Sequence, residues 1–223
     1  MELNYTRKVG QYALFLTHTV KGSMMYKVIG SVQSRAFRVL WLLIEMDLPF
    51  AHINAPPQSE EVKKYNPFGK IPILVDGVDC ITDSNAIMTY LADKHSLMTQ
   101  KAGTKARAHQ DALLHKIIDE IDSVLWVASR SSLGIKDQDY AASIRRLFEI
   151  EYERNINHIV TQIKGPFIMG EQLTLPDIVL AHCGGWAYVA KFPNQNEAFK
   201  KYLSHCRSRP AYQAAAGIGK AKI

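Results

Sequence analysis

Asn66-Pro67-Phe68-Gly69-Lys70-Ile71-Pro72-Ile73-Leu74-Val75-Asp76-Gly77-Val78-Asp79-Cys80-Ile81-Thr82-Asp83-Ser84-Asn85-Ala86-Ile87 decides the fold. Ile71 to Val75 and Val78 to Ile81 read as strands flanking Asp76-Gly77, a dipeptide favoured in tight hairpin turns. Directly behind them, Ser84 to His95 carries Ile87, Tyr90 and Leu91 at helical spacing. The stretch therefore reads β-β-α. Pro72 has no N–H to give to a ladder, so its strand is expected at a sheet edge or a bulge.

Upstream, Tyr26 to Ile29 reads as a strand and Phe50 to Asn54 as another. Between them Ser34 to Met46 places Phe37, Leu40, Trp41 and Ile44 on one buried helix face, which makes a βαβ unit with a right-handed crossover. Downstream the pattern turns wholly helical near residue 100. Thr104 to Ser131 carries Leu114, Ile118, Ile121 and Leu125 in one stripe, and a second long helix is expected from Asp137 to Lys164, ended by Gly165-Pro166. Thr174-Leu175-Pro176-Asp177 opens a third helix, with Thr174 as cap, Pro176 in the first turn and Asp177 as the capping-box acid. Glu197 to Cys206 and Arg209 to Ala216 complete an expected five-helix bundle.

Composition narrows the functional classes. The 223 residues are 47% hydrophobic and 22% charged, ordinary for globular domains and unlike a disordered chain. No stretch approaches the roughly 18 apolar residues of a membrane helix, so a soluble chain without membrane partners is expected. The formal charge is +6, but its cations are scattered rather than clustered with aromatics, which argues against a nucleic-acid partner. Cys80, Cys183 and Cys206 are too few for a disulfide framework and too scattered for a zinc site, and they fit a reducing compartment. The helical histidines, His182 among them, lack metal-site spacing, so no metal is expected. Trp126, Trp186 and Tyr188 read as core. Residues 1–24 read as a disordered extension, since Tyr12 to Leu16 is shorter than the usual signal-peptide core of roughly 7 to 15 apolar residues.

Four motifs carry a family resemblance. Ser31-Val32-Gln33-Ser34-Arg35, Asn66 to Leu74, Asp83-Ser84-Asn85-Ala86-Ile87 and Leu173-Thr174-Leu175-Pro176-Asp177 resemble successive motifs of cytosolic glutathione transferases, particularly the serine-type bacterial, theta and zeta groups. The resemblance implies an α+β chain: a thioredoxin-like glutathione-binding domain over residues 25–96, then an all-α bundle over 104–223 lining the electrophile site. It implies a cytoplasmic, homodimeric enzyme with glutathione as co-substrate.

In residue terms the resemblance assigns Ser31 to the glutathione sulfur and the Ile71 backbone before a cis Pro72 to the cysteinyl backbone, while the charge of Lys70 suits it to the glycyl carboxylate. Ser84 then takes the γ-glutamyl carboxylate and Asp83 its ammonium. A thiol with a pKa of about 8.5 is only a few per cent thiolate near pH 7. A shift of two units needs about 2.7 kcal/mol. A hydroxyl bonded to an anion supplies roughly 1.5–3 and a helix N-terminus roughly 0.3–1, so a serine suffices. Ser34 remains the competing sulfur partner, and Ser31 read without the family is a loop serine. Asp83 and Ser84 serve equally as a helix cap, and Lys70 as a solvated lysine. With no cysteine at 31 or 34, disulfide exchange through a protein thiol is not available. A glutathione-dependent peroxidase, isomerase or dehalogenase, and a non-catalytic binding module, keep every motif.

Overall fold

The structure, a computed structural model, describes residues 25–131 and 138–218; the expected extension over residues 1–24 lies outside the described residues. The chain forms two compact units. The first holds the described residues up to Leu91 together with those from Pro210 onward, and the second runs from Ala92 to Arg209.

In the first unit, β1 (Tyr26–Ile29), α1 (Ala36–Glu45) and β2 (Phe50–Ile53) form the expected βαβ element, with β1 and β2 parallel. A short helix, α2 (Glu60–Lys63), precedes β3 (Ile73–Asp76) and β4 (Asp79–Thr82), and α3 (Ser84–His95) comes next. The sheet order is β2-β1-β3-β4, with β3 antiparallel to both neighbours. The chain thus has the mixed sheet and helices of a thioredoxin-like domain.

The register corrects two expectations. Asp76 pairs with Asp79, so the hairpin loop is Gly77-Val78, and the glycine supplies its positive φ of 62° at the first loop position. β3 is an inner strand rather than an edge. Pro72 is compatible with it because the ladder to β1 begins one residue later, at Ile73.

α1 is buried on every face from Ala36 to Ile44, not along one stripe. The cause is α9 (Pro210–Ile218), expected to close the helical bundle, which instead packs on α1 in the first unit. Tyr212 meets Phe37 and Trp41 edge-on at ring separations of 5.1 and 5.0 Å. Sequence periodicity sees one face per helix, whereas α1 is covered by both β1 and α9.

In the second unit, α4 (Lys105–Ile117) begins where Thr104 Oγ1 accepts the Arg107 N–H at 3.2 Å. It passes through a π-helical turn, Ile118–Asp122, into α5 (Ser123–Ser131). α6 (Gln138–Val160) stops short of Gly165-Pro166: the N–H groups of Thr161, Gln162 and Ile163 turn to carbonyls three residues back, a tighter winding that ends the α-helix. α7 (Leu175–Val189) is buried from Leu175 to Ala181, and α8 (Glu197–Arg207) packs on it. Asp177 anchors its start, one oxygen accepting the Thr174 N–H and hydroxyl, the other the Ile168 N–H and the Tyr202 hydroxyl. Trp126 and Tyr188, expected in the core, are exposed at 42% and 74%. Among the described residues no helix is long and apolar enough to cross a membrane.

Candidate functional site

The turn after β1 is shaped by Gly30. Its N–H donates to Ile53 O at 3.0 Å, and its carbonyl oxygen lies 2.8 Å from His52 Nε2. A carbonyl only accepts, so Nε2 carries the proton. Burial lowers the His52 pKa, with the Gly30 contact acting the other way, and the ring is neutral at neutral pH. Gly30 has φ +145°, and a Cβ here would lie 3.0 Å from Ala36 Cβ and 3.1 Å from Ile71 Cβ. Only a glycine lets the turn approach Ile71 this closely.

The two serines of the turn differ in what their hydroxyls do. Ser34 Oγ donates to Ser31 O at 2.6 Å and accepts the Ala36 N–H at 3.1 Å, so both its proton and its oxygen are engaged within the turn that leads into α1, whose N-cap is Arg35. Ser31 Oγ, half-buried, accepts the Gln33 N–H at 3.3 Å. Among the described residues its proton has no acceptor.

The segment before β3 is held from behind. Buried Asn66 donates through Nδ2 to Lys70 O at 3.0 Å and accepts the Phe68 N–H at 3.1 Å. Gln58 adds its Nε2 to Phe68 O at 2.9 Å and its N–H to Gly69 O at 2.8 Å. The Ile71-Pro72 bond is cis, and Ile71 stands outside the ladder that starts at Ile73. Lys70 is exposed.

At the start of α3, Asp83 has φ 72° and its Oδ1 accepts the N–H groups of Asn85 and Ala86 at 2.8 and 3.0 Å. Ser84 is 1% exposed, and its hydroxyl accepts from Arg38 Nη1 at 3.4 Å. Arg38 is wholly buried on α1, so a cation ties α1 to the opening of α3.

Gly30, the residue before Ser31, thus lies close against Ile71, while Ser84 and Arg38 join α3 to α1. Lys70 presents its side chain to solvent. His52, Arg38 and Asn66 hold these positions, and no sequence motif singles them out for that task. The partners of His52 and Arg38 lie far along the chain. Asn66 stands inside one of the four motifs, but nothing in its residue type announces a bond to Lys70.

Residues 34–94 match the family model described as "Glutathione S-transferase, N-terminal domain". Glutathione S-transferase hmp2 of Hypomyces subiculosus is 27% identical over 207 residues, covering 79% of this chain and 92% of that protein. Glutathione S-transferase 4 of Caenorhabditis elegans is 31% identical over 147 residues, covering 59% of this chain and 68% of the relative. The chain belongs to the glutathione S-transferase family. The glutathione transferase URE2P6 of Phanerochaete chrysosporium, crystallised with oxidized glutathione, superposes with a TM-score of 0.77 over 91% of this chain and 99% of that one, at 20% identity. The glutathione S-transferase fold therefore extends over both units.

Proposed function

We propose that the chain binds glutathione on its first unit and transfers the tripeptide to a small apolar electrophile, with Ser31 donating its hydroxyl proton to the sulfur. The carrying observation is the contrast at the first turn: the Ser34 hydroxyl both donates and accepts locally, whereas the Ser31 proton has no acceptor among the described residues. A thiolate placed there receives a charge-assisted bond next to the start of α1. The sulfur lone pair then forms a C–S bond to the electrophilic carbon as the leaving group departs with its bonding pair. The thiol proton passes to solvent when the thiolate forms.

Ile71, outside the ladder of β3, offers its backbone to the cysteinyl residue like a short added strand. Asp83 Oδ2, which has no partner among the described residues, takes the γ-glutamyl ammonium, and Ser84 at the α3 N-terminus its carboxylate. Exposed Lys70 takes the glycyl carboxylate. The enzyme works as a cytoplasmic homodimer, and residues 25–96 form the glutathione-binding domain.

The test is calorimetry with glutathione, followed by titration of thiolate absorbance in the complex. Ser31→Ala is expected to bind within a few-fold of the parent and to raise the pKa of the bound thiol by about one unit or more. An unchanged titration in Ser31→Ala, with a raised one in Ser34→Ala, moves the role to Ser34. No heat of binding in the parent overturns the reading. Turnover of aryl halides, epoxides, hydroperoxides and dihaloalkanes separates conjugation from peroxidase or dehalogenase chemistry.

A further inference from the structure

The second unit holds a cluster that the glutathione chemistry does not use. Asp122 closes the π-helical turn, and His182 and Cys183 are neighbours on α7. One ligand atom from each of the three lies within 4.8 Å of the other two. Cys183 is fully buried, Asp122 is 5% exposed, and His182 is half-buried.

The geometry points to a site for a single divalent transition-metal ion of the zinc type, held by Asp122, His182 and Cys183. Zinc takes sulfur, imidazole nitrogen and carboxylate oxygen together, whereas calcium and magnesium require oxygen throughout. Cys183 Sγ and Asp122 Oδ1 are 3.6 Å apart. Tetrahedral zinc, with bonds of about 2.3 Å to sulfur and about 2.1 Å to oxygen, sets those atoms about 3.6 Å apart. Three protein ligands leave a fourth position for water.

The backbone supplies an independent sign. A π-helical turn inserts a residue into the α-ladder and re-aims the side chains beyond it, and such turns recur at functional sites. Here it ends at Asp122, the residue facing Cys183. No metal-site spacing is visible along the chain, because Asp122 joins the pair on α7 from an element 61 residues away.

The test is a cobalt(II) titration of chelator-treated full-length protein in thiol-free buffer. It uses no glutathione, so its outcome is separate from that of the transferase proposal. The expected result is one equivalent bound, with a near-ultraviolet thiolate-to-cobalt band and tetrahedral ligand-field bands in the visible, both displaced by zinc. Cys183→Ser should lose the near-ultraviolet band, and Cys80→Ser should keep it. Asp122→Asn and His182→Gln should each weaken binding by more than the roughly 10–100-fold typical of an outer-shell loss. No sulfur-to-cobalt band in the parent, or a band that survives Cys183→Ser, overturns the site. If Cys183→Ser does not fold, half-buried His182 decides: cobalt affinity in His182→Gln equal to the parent's rules the site out.

Discussion

His52 Nε2 lies 2.8 Å from the carbonyl oxygen of Gly30, the residue before Ser31, so a strand imidazole fixes the backbone from which the candidate sulfur partner projects. Because burial lowers its pKa, the folded state favours the neutral ring. The sign comes from linkage: stability from this group is complete above the unfolded value of about 6.5 and is lost as pH falls through the lowered folded value. The parent should therefore lose more stability than His52→Gln as pH falls from about 7.5 to about 5.5, roughly one unit either side of the unfolded value. Urea unfolding at both pH values measures this, and equal losses in the two proteins would contradict it. The substitution itself should remove about 1 kcal/mol.

Gly30→Ala tests how closely the first turn must approach Ile71. Its new Cβ would meet Ala36 and Ile71 at 3.0 and 3.1 Å, on a backbone with φ +145°. Strain of this kind costs roughly 1–3 kcal/mol, so the unfolding midpoint should drop accordingly. Glutathione affinity should fall as well, since the turn that leads to Ser31 is pushed away from Ile71. A variant with the parent's midpoint would show that the contact relaxes freely.

Asn66→Ala should act on the ligand rather than on the chemistry. Its side chain bonds Lys70 O and Phe68 N–H, and so orders the segment that presents Lys70 and Ile71. The expected signature is a raised KM for glutathione with kcat held, the pattern of lost uniform binding. A fall in kcat at constant KM would place Asn66 in the reaction step instead.

The β-α-β, β-β-α order was legible because each element carries its own local signal: alternation or an apolar run for the strands, i, i+3, i+4, i+7 spacing for α1, and a glycine at the hairpin. The hairpin loop shifted by one residue because the positive-φ position, not the dipeptide, sets the register. The features that stayed hidden depend on distant partners. Nothing around Tyr212 indicates that it leaves the helical half to pack on Phe37 and Trp41. Arg38 reads as an ordinary helix cation, yet it is buried against Ser84, 46 residues later. The candidate sulfur partner was half legible: the motif isolated Ser31 and Ser34, and the hydroxyl bonds distinguish what each has left to offer.

Asp177 should be the costliest polar position in the second unit to replace, because its carboxylate receives donors from three residues at once. Tyr202→Phe removes one of them, a bond to a charged acceptor, and should cost about 2 kcal/mol. Thr174→Ala removes the hydroxyl at the cap and should cost about 1 kcal/mol. Asp177→Ala leaves the Ile168 and Thr174 N–H groups and the Tyr202 hydroxyl buried without their acceptor, so its cost should exceed about 3 kcal/mol. Because both partners act through the same carboxylate, the Thr174→Ala and Tyr202→Phe effects should not add, with a coupling above about 0.5 kcal/mol in the double-mutant cycle. Strict additivity would mean that the two bonds report on separate local packing instead of one shared acceptor. Activity lost in these variants should return in full when it is scaled to the folded fraction, since all three residues belong to the second unit and the proposed glutathione contacts belong to the first.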